Sequence, residues 1–189
     1  MKSIKYNQSN TIIINKSEFI CELIKINNIE DIDENIKIIK DKYKDATHYC
    51  YAYIIDDKKK SSDDGEPGGT AGVPIMDTLN KKDLNNILCV VIRYFGGIKL
   101  GAGGLVRAYR KAVTDCLDKV EYYDLIDGYE ITLESSYDKQ KEIEFIIKDH
   151  YTKEYKENII YKIECDKETK EILEQKYKII EQKEKVIER

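Results

Sequence analysis

The stretch ILCVVIRYFGGIKLGAGGLVRAYRK (Ile87–Lys111) decides how this chain folds. It opens with a continuous apolar run, Ile87–Ile92, which has the length and composition of a buried central strand. Gly96 and Gly97 follow the run and predict a turn. After Gly104 the apolar residues recur at helical spacing and the basic residues collect on the opposite side, which predicts an amphipathic helix. The stretch therefore indicates a strand, a glycine-rich turn and a helix with a basic outer face.

The charges around this stretch are unusual for the chain. Between Leu84 and Thr114 there are five basic residues and no acid, and three of the four arginines fall in this window. Arginine presents a planar fork of donors that suits phosphate and carboxylate, whereas the rest of the chain relies on lysine. Glycines that lead into a helix also leave free N–H groups, which favour an anion. We therefore predict a nucleic-acid-binding or anion-binding surface made of Arg93, Lys99, Gly101, Gly103, Gly104, Arg107, Arg110 and Lys111.

Two aromatic residues follow the predicted strand. Tyr94 and Phe95 stand between Arg93 and the Gly96–Gly97 turn. If they are exposed, their rings are suited to stacking on bases, and the alternative is that either of them lies in the core.

The glycines do not fit the named nucleotide-binding motifs. A P-loop requires Lys and then Ser or Thr after its second glycine, but Ala102 and Gly103 follow Gly101. A dinucleotide fingerprint requires Gly or Ala in third place, where this chain has Val106. An anion site at the helix start and a purely structural turn both remain open.

An acidic segment lies upstream, SDDGEP (Ser61–Pro67), with Asp63, Asp64 and Glu66 close together. Asp and Gly before Pro are ordinary turn chemistry, and the spacing matches no calcium loop, so we predict no metal site. We expect the three acids to clasp the neighbouring basic loop.

His48 and Cys50 fall on one face of a predicted strand, as a base and a thiol nucleophile would. The sequence supplies no third, orienting group and no oxyanion hole, so a structural His and a buried Cys are favoured. We predict no catalytic residue and no cofactor.

The composition narrows the class of protein. Hydrophobic residues make up 41% and charged residues 36% of 189 residues, and the net charge is −4. There is no apolar run of the about 20 residues that a membrane span needs, and the N-terminus resembles no signal peptide. Five widely spaced cysteines without a CxxC pair favour reduced thiols. These features predict a cytoplasmic protein.

The order of the predicted elements indicates an α+β protein with two domains. In the first part we predict strands at Thr11–Ile14, Phe19–Ile26 and His48–Ile55, a helix over residues 29–43, an exposed loop from Asp56 and a short helix from Thr70. A break at Asp124–Gly128 opens a second part whose elements follow as βαββαβ, the ferredoxin-like pattern. We place the domains at residues 1–125 and 126–189.

Three long motifs resemble the Impact family and its bacterial YigZ-like members. They are ATHYCYAY (Ala46–Tyr53), SDDGEPGGTAGVPI (Ser61–Ile75) and VVIRYFGGIKLGAGGLVRAY (Val90–Tyr109). The resemblance implies an N-terminal domain like the second domain of small-subunit ribosomal protein five and domain IV of elongation factor G. It also implies a C-terminal ferredoxin-like domain similar to domain V of that factor. Arg110 departs from the family pattern, in which a small residue is expected after RAY.

Three functions follow from these observations as expectations. The first is a non-enzymatic protein that binds RNA or the ribosome, for which the family resemblance implies a role in translation regulation and a protein partner in that control. The second is an enzyme that acts on a small phosphorylated or carboxylated substrate at the glycine-rich helix start. The third is a protein–protein adaptor that acts through the acidic C-terminal part.

Overall fold

The structure, a computed structural model, describes residues 1–189. The chain divides into two compact units, Met1–Tyr123 and Asp124–Arg189. The protein contains two sheets and five α-helices, so the predicted α+β class is confirmed.

The first unit contains six strands and three helices. In chain order they are β1 (Lys2–Ile4), β2 (Gln8–Ile14), β3 (Ser17–Lys25), α1 (Glu30–Lys42), β4 (His48–Ile55), β5 (Lys58–Ser62), α2 (Gly72–Lys81), β6 (Ile87–Tyr94) and α3 (Gly101–Leu117).

The first unit is built on an antiparallel sheet with the strand order β2-β3-β6-β4-β5. Helix α1 packs on one face through Ile32 and Ile39. Helices α2 and α3 pack on the other face, where Leu79 and Tyr109 join the larger core. Strand β6 pairs with β3 and β4 and is covered on both faces, which explains its continuous apolar run.

From Tyr122 onward the elements are β7 (Tyr122–Ser135), a 3₁₀ turn (Tyr137–Lys139), α4 (Gln140–Ile147), β8 (Tyr151–Tyr155), β9 (Ile159–Cys165), α5 (Lys167–Lys176) and β10 (Ile179–Glu188). The strands of the second unit lie in the order β10-β7-β9-β8 and all pair antiparallel. One face of this sheet packs on α4 and α5 through Ile143 and Leu173. The elements therefore follow in the predicted order βαββαβ.

Two predictions of local structure are wrong. Lys58–Ser62 is strand β5 at the edge of the sheet and not part of a loop. Its lysines are compatible with a strand because an edge strand can extend charged side chains into solvent. Residues 124–128 do not form a break, because they lie within the continuous strand β7. None of the five helices combines the length and apolar character that crossing a bilayer requires.

Candidate functional site

The turn after β6 is held against the hairpin between β2 and β3. A Cβ atom added to Gly96 would lie 2.0 Å from the carbonyl carbon and oxygen of Lys16, so only glycine fits there. The Gly96 N–H donates to Ser17 Oγ over 3.1 Å. The turn therefore brings Lys16, which is exposed, next to the glycine-rich segment. Lys16 is not among the predicted site residues, because its only signal in the sequence is the short polar link between two predicted strands.

Arg93 lies inside the protein and is only 5% exposed. Its Nη1 donates to Glu66 Oε1 over 2.6 Å, and its Nη2 donates to Ser17 Oγ over 3.4 Å. The prediction that Arg93 contacts a phosphate at the surface is therefore wrong. Strand β6 turns Arg93 toward the face that α2 and α3 cover, because side chains alternate along a strand.

Glu66 is the centre of a buried polar cluster. One carboxylate oxygen, Oε1, accepts hydrogen bonds from Arg93 and from the Tyr109 hydroxyl, the latter over 2.8 Å. The other oxygen, Oε2, lies 3.8 Å from His48 Nε2. Burial, the Cys50 thiol and the Glu66 carboxylate all raise the pKa of Tyr109, so this tyrosine stays a hydrogen-bond donor. The cluster ties the SDDGEP segment to β4, β6 and α3.

The other two acids of the segment bind backbone N–H groups. Asp63 accepts hydrogen bonds from Gly69, Ala71 and Gly72 over 2.8 to 2.9 Å, at the start of α2. Burial alone would raise the pKa of Asp63, but these three donors lower it below its ordinary value. Asp64 Oδ2 accepts from the Tyr49 N–H over 2.7 Å. Of the three predicted clasping residues, only Glu66 contacts an arginine of the predicted basic surface.

Cys50 and His48 do not form a thiolate pair. The Cys50 thiol donates to the Asp63 carbonyl over 2.9 Å, and burial raises its pKa to about 12. His48 Nδ1 lies 2.8 Å from the Asp64 carbonyl oxygen instead of the thiol. Both residues therefore serve the cluster around Glu66.

Helix α3 begins without a side-chain cap. Leu100 occupies the N-cap position, its side chain makes no capping hydrogen bond, and the first turn carries no acid. Gly101 has a φ of +70°, which favours glycine. A Cβ atom added to Gly103 would lie 3.5 Å from Arg107 Nη1, so this guanidinium lies over the first turn. The helix start, Gly101–Gly104, thus combines uncapped N–H groups with an arginine.

The remaining basic residues of the predicted surface differ in their partners. Lys99 and Arg107 are exposed and take part in no ion pair. Arg110 lies 3.8 Å from Asp77 on α2, and Lys111 lies 2.8 Å from Asp115 one helical turn later. The charges of Arg110 and Lys111 are therefore partly neutralised, while Lys99 and Arg107 are available to an outside anion.

Tyr94 and Phe95 differ in their surroundings. The Tyr94 hydroxyl donates to the Lys44 carbonyl over 3.0 Å, and burial, Tyr49 and the carboxylates of Glu18 and Asp45 raise its pKa. The Phe95 side chain is 46% exposed. Of the two residues, only Phe95 presents an open aromatic ring.

Comparison with known proteins places these residues in a family. Residues 15–117 match the family described as the Impact N-terminal domain. The YigZ protein of Escherichia coli (strain K12), an IMPACT family member, is 36% identical over 139 residues, which are 71% of this chain and 68% of that protein. The chain therefore belongs to the Impact family, as its motifs predict.

Two further comparisons agree with this assignment. The IMPACT family member YvyE of Bacillus subtilis (strain 168) is 47% identical over 121 residues, which are 62% of this chain and 56% of that protein. The chain thus spans about half the length of this relative. A solved structure titled "Crystal structure of an hypothetical protein" superposes with a TM-score of 0.67 at 26% identity, over 93% of this chain and 92% of that chain.

Proposed function

We propose that this Impact family protein binds RNA, either free or in the ribosome, through the start of helix α3. We call this surface the α3 site and define it by Lys99, Gly101, Gly103, Gly104 and Arg107. The single observation that carries the proposal is that Lys99 and Arg107 are exposed and unpaired within a segment that has no acid from Leu84 to Thr114.

The chemistry of the α3 site suits a phosphodiester backbone. The first N–H groups of a helix have no partner within the helix, and the helix dipole adds positive potential there. Arg107 lies over that first turn, where its fork of donors complements phosphate oxygens. Arg110 and Lys111 extend the basic face but share their charge with Asp77 and Asp115.

Arg93 has a different role in this proposal. It lies beneath the surface and binds Glu66, so it holds the turn in place and does not contact RNA. The acids Asp63, Asp64 and Glu66 are occupied by internal partners, which leaves the enzyme hypothesis without a free carboxylate at this place.

A role in translation regulation is the wider form of the proposal. The family resemblance implies domains like those of ribosomal protein five and of elongation factor G, both of which belong to the translation machinery. The βαββαβ order of the second unit, with its strands arranged β10-β7-β9-β8, supports the ferredoxin-like part of that resemblance.

Fractionation of a cell lysate on sucrose gradients tests the proposal. We expect the wild-type protein to travel with ribosomal particles at low salt and the Lys99→Glu/Arg107→Glu variant to remain at the top of the gradient. The matched control is Lys58→Glu/Lys60→Glu, which changes two exposed, unpaired lysines of β5 and should travel as the wild type does. Wild-type protein that never enters the ribosomal fractions and binds no purified RNA would contradict the proposal.

A protein-binding role for the second unit is the alternative that a specific observation favours. Phe145 on α4 is 83% exposed, which is unusual for a large apolar side chain. If this unit is an adaptor, Phe145→Ser should abolish capture of a protein partner and leave RNA binding unchanged. If the wild type and Phe145→Ser capture a partner equally, the adaptor role of Phe145 is wrong.

A further inference from the structure

The exposed ring of Phe95 rests on a buried arginine. The guanidinium carbon of Arg93 lies 5.4 Å from the centre of the Phe95 ring and 5.3 Å from the centre of the Phe19 ring. Tyr109 packs edge-on against Phe19, with ring centres 5.3 Å apart. Arginine over an aromatic face is a favourable contact, particularly where water is excluded. Phe95 is thus the outermost member of a group of aromatic and cationic side chains that continues into the core.

This group is fixed in position by hydrogen bonds. Glu66 and Ser17 bind the two ends of the Arg93 guanidinium, and Glu66 also accepts from Tyr109. The Phe95 backbone N–H donates to Thr47 Oγ1 over 3.0 Å. The ring therefore needs little ordering when a ligand binds, which lowers the entropic cost of the contact.

The surroundings of Phe95 favour an anionic ligand. The Gly96 contact places the exposed Lys16 turn beside it, and Lys99 follows a few residues along the same turn. Ile98, 43% exposed, adds apolar surface. The acids near this end of β6 are Glu18 and Asp45, which raise the pKa of Tyr94. The Tyr94 side chain points to the face of β6 opposite Arg93.

We propose that Phe95 is a stacking platform for an unpaired base, so that the ligand of the α3 site is single-stranded RNA. This inference rests on the proposed function and specifies its ligand. Lys16 and Lys99 hold the phosphates next to the stacked base, and Arg93 acts as a positioning residue beneath the ring. Single strands offer unstacked bases to aromatic side chains, whereas the bases of a duplex are covered by their neighbours.

The chain has no tryptophan, which makes a direct test possible. In Phe95→Trp the new indole is the only one, and a base stacked on it should quench its fluorescence. We expect saturable quenching by a ten-nucleotide oligouridylate and much weaker quenching by a duplex of the same length. The matched control is Phe145→Trp, an exposed site on α4 that the oligonucleotide should leave unquenched. Equal quenching at position 95 by single strand and duplex would overturn the proposal.

Binding measurements separate this inference from the proposed function. Phe95→Leu removes the stacking face and should weaken oligouridylate binding about tenfold, within the range for loss of one stacked base. Phe95→Tyr keeps a flat ring and should bind as the wild type does, which also shows that a change at this position is tolerated. If Phe95→Leu binds normally while Lys99→Glu/Arg107→Glu does not, the platform is wrong and the RNA-binding function stands. If the wild type binds no RNA at all, both are wrong.

Discussion

The arginines between Leu84 and Thr114 have different structural roles at different positions. Arg107 lies at the surface over the first turn of α3, while Arg93 is buried beside Glu66. The preference for arginine over lysine between Leu84 and Thr114 is visible in the sequence. The sequence did not predict that Arg93 is buried, because the partner, Glu66, lies 27 residues upstream and the helices that cover this face of β6 follow from the packing of the whole unit.

The first prediction concerns the buried pair of Glu66 and Arg93. Arg93→Met should lower the free energy of unfolding by about 3–5 kcal/mol, because it leaves a buried carboxylate without its cation. Glu66→Gln should be destabilising for the same reason, with the charge now on the arginine. Urea unfolding followed by circular dichroism measures both.

The double variant Glu66→Gln/Arg93→Met is the control for this coupling. It removes both charges, so it should be less destabilised than the sum of the two single variants. Single variants that lose less than about 1 kcal/mol, the size of a surface ion pair, would contradict a buried pair.

The second prediction concerns Asp63. Its pKa is lowered by the N–H groups of Gly69, Ala71 and Gly72 against the effect of burial. A carboxylate with a lowered pKa stabilises the folded state fully above its unfolded pKa of about 3.9, and this stabilisation is lost as the pH falls through the lower folded value.

Asp63→Asn should therefore destabilise the protein at pH 7 by on the order of 2 kcal/mol, the size of a lost helix cap with charge-assisted bonds. The difference from the wild type should shrink as the pH is lowered from 5 toward 3. Thermal unfolding at several pH values measures this trend, and a difference that grows on acidification would contradict it. Ser61→Ala, two residues away, is a suitable control because its hydroxyl does not bind the start of α2.

Among the secondary-structure elements, patterns of apolar residues are sufficient to predict a strand where one or both of its faces are buried. Strand β4 (His48–Ile55) and the apolar run of β6 are where period and composition place them. The sequence does not predict strand β5, because an edge strand needs no apolar residue, and Lys58–Lys60 are typical of a protected edge. The turn after β6 was predicted from its glycines, but its contact with the Lys16 backbone comes from two elements that are distant in sequence.

The third prediction separates the two glycines of this turn. Gly96→Ala should destabilise the protein by more than about 3 kcal/mol, because its Cβ would overlap the Lys16 backbone at 2.0 Å and backbone atoms cannot move aside cheaply. Gly97→Ala meets no neighbouring atom but has a φ of +85°, so it should cost only about 1–2 kcal/mol.

Chemical unfolding of the two variants measures this contrast. Each variant is the control for the other, because the two replace adjacent glycines of the same turn by alanine. Equal stabilities would contradict the close contact between the turn and the β2–β3 hairpin.

At the scale of the whole molecule, charge is distributed in a way that the net value hides. Residues 1–126 carry 19 acids and 19 bases, while residues 127–189 carry 17 acids and 13 bases, so the overall charge of −4 comes from the second part. A protein of this net charge has no general attraction for nucleic acid, and binding must come from a local surface. The sequence predicts such a surface between Leu84 and Thr114, and the structure distinguishes Lys99 and Arg107, which take part in no ion pair, from Arg110 and Lys111, which have acidic partners.

If the α3 site binds RNA through phosphate contacts, the affinity must depend strongly on salt concentration. The affinity for a single-stranded oligoribonucleotide should fall linearly with salt on logarithmic axes, with a slope of about 0.7 for each phosphate neutralised. Lys99→Glu/Arg107→Glu should weaken binding and reduce that slope by about one to two, whereas Lys58→Glu/Lys60→Glu, with the same change in net charge, should leave the slope unchanged. Binding that is insensitive to salt, or that both variants weaken equally, would contradict RNA binding at the α3 site.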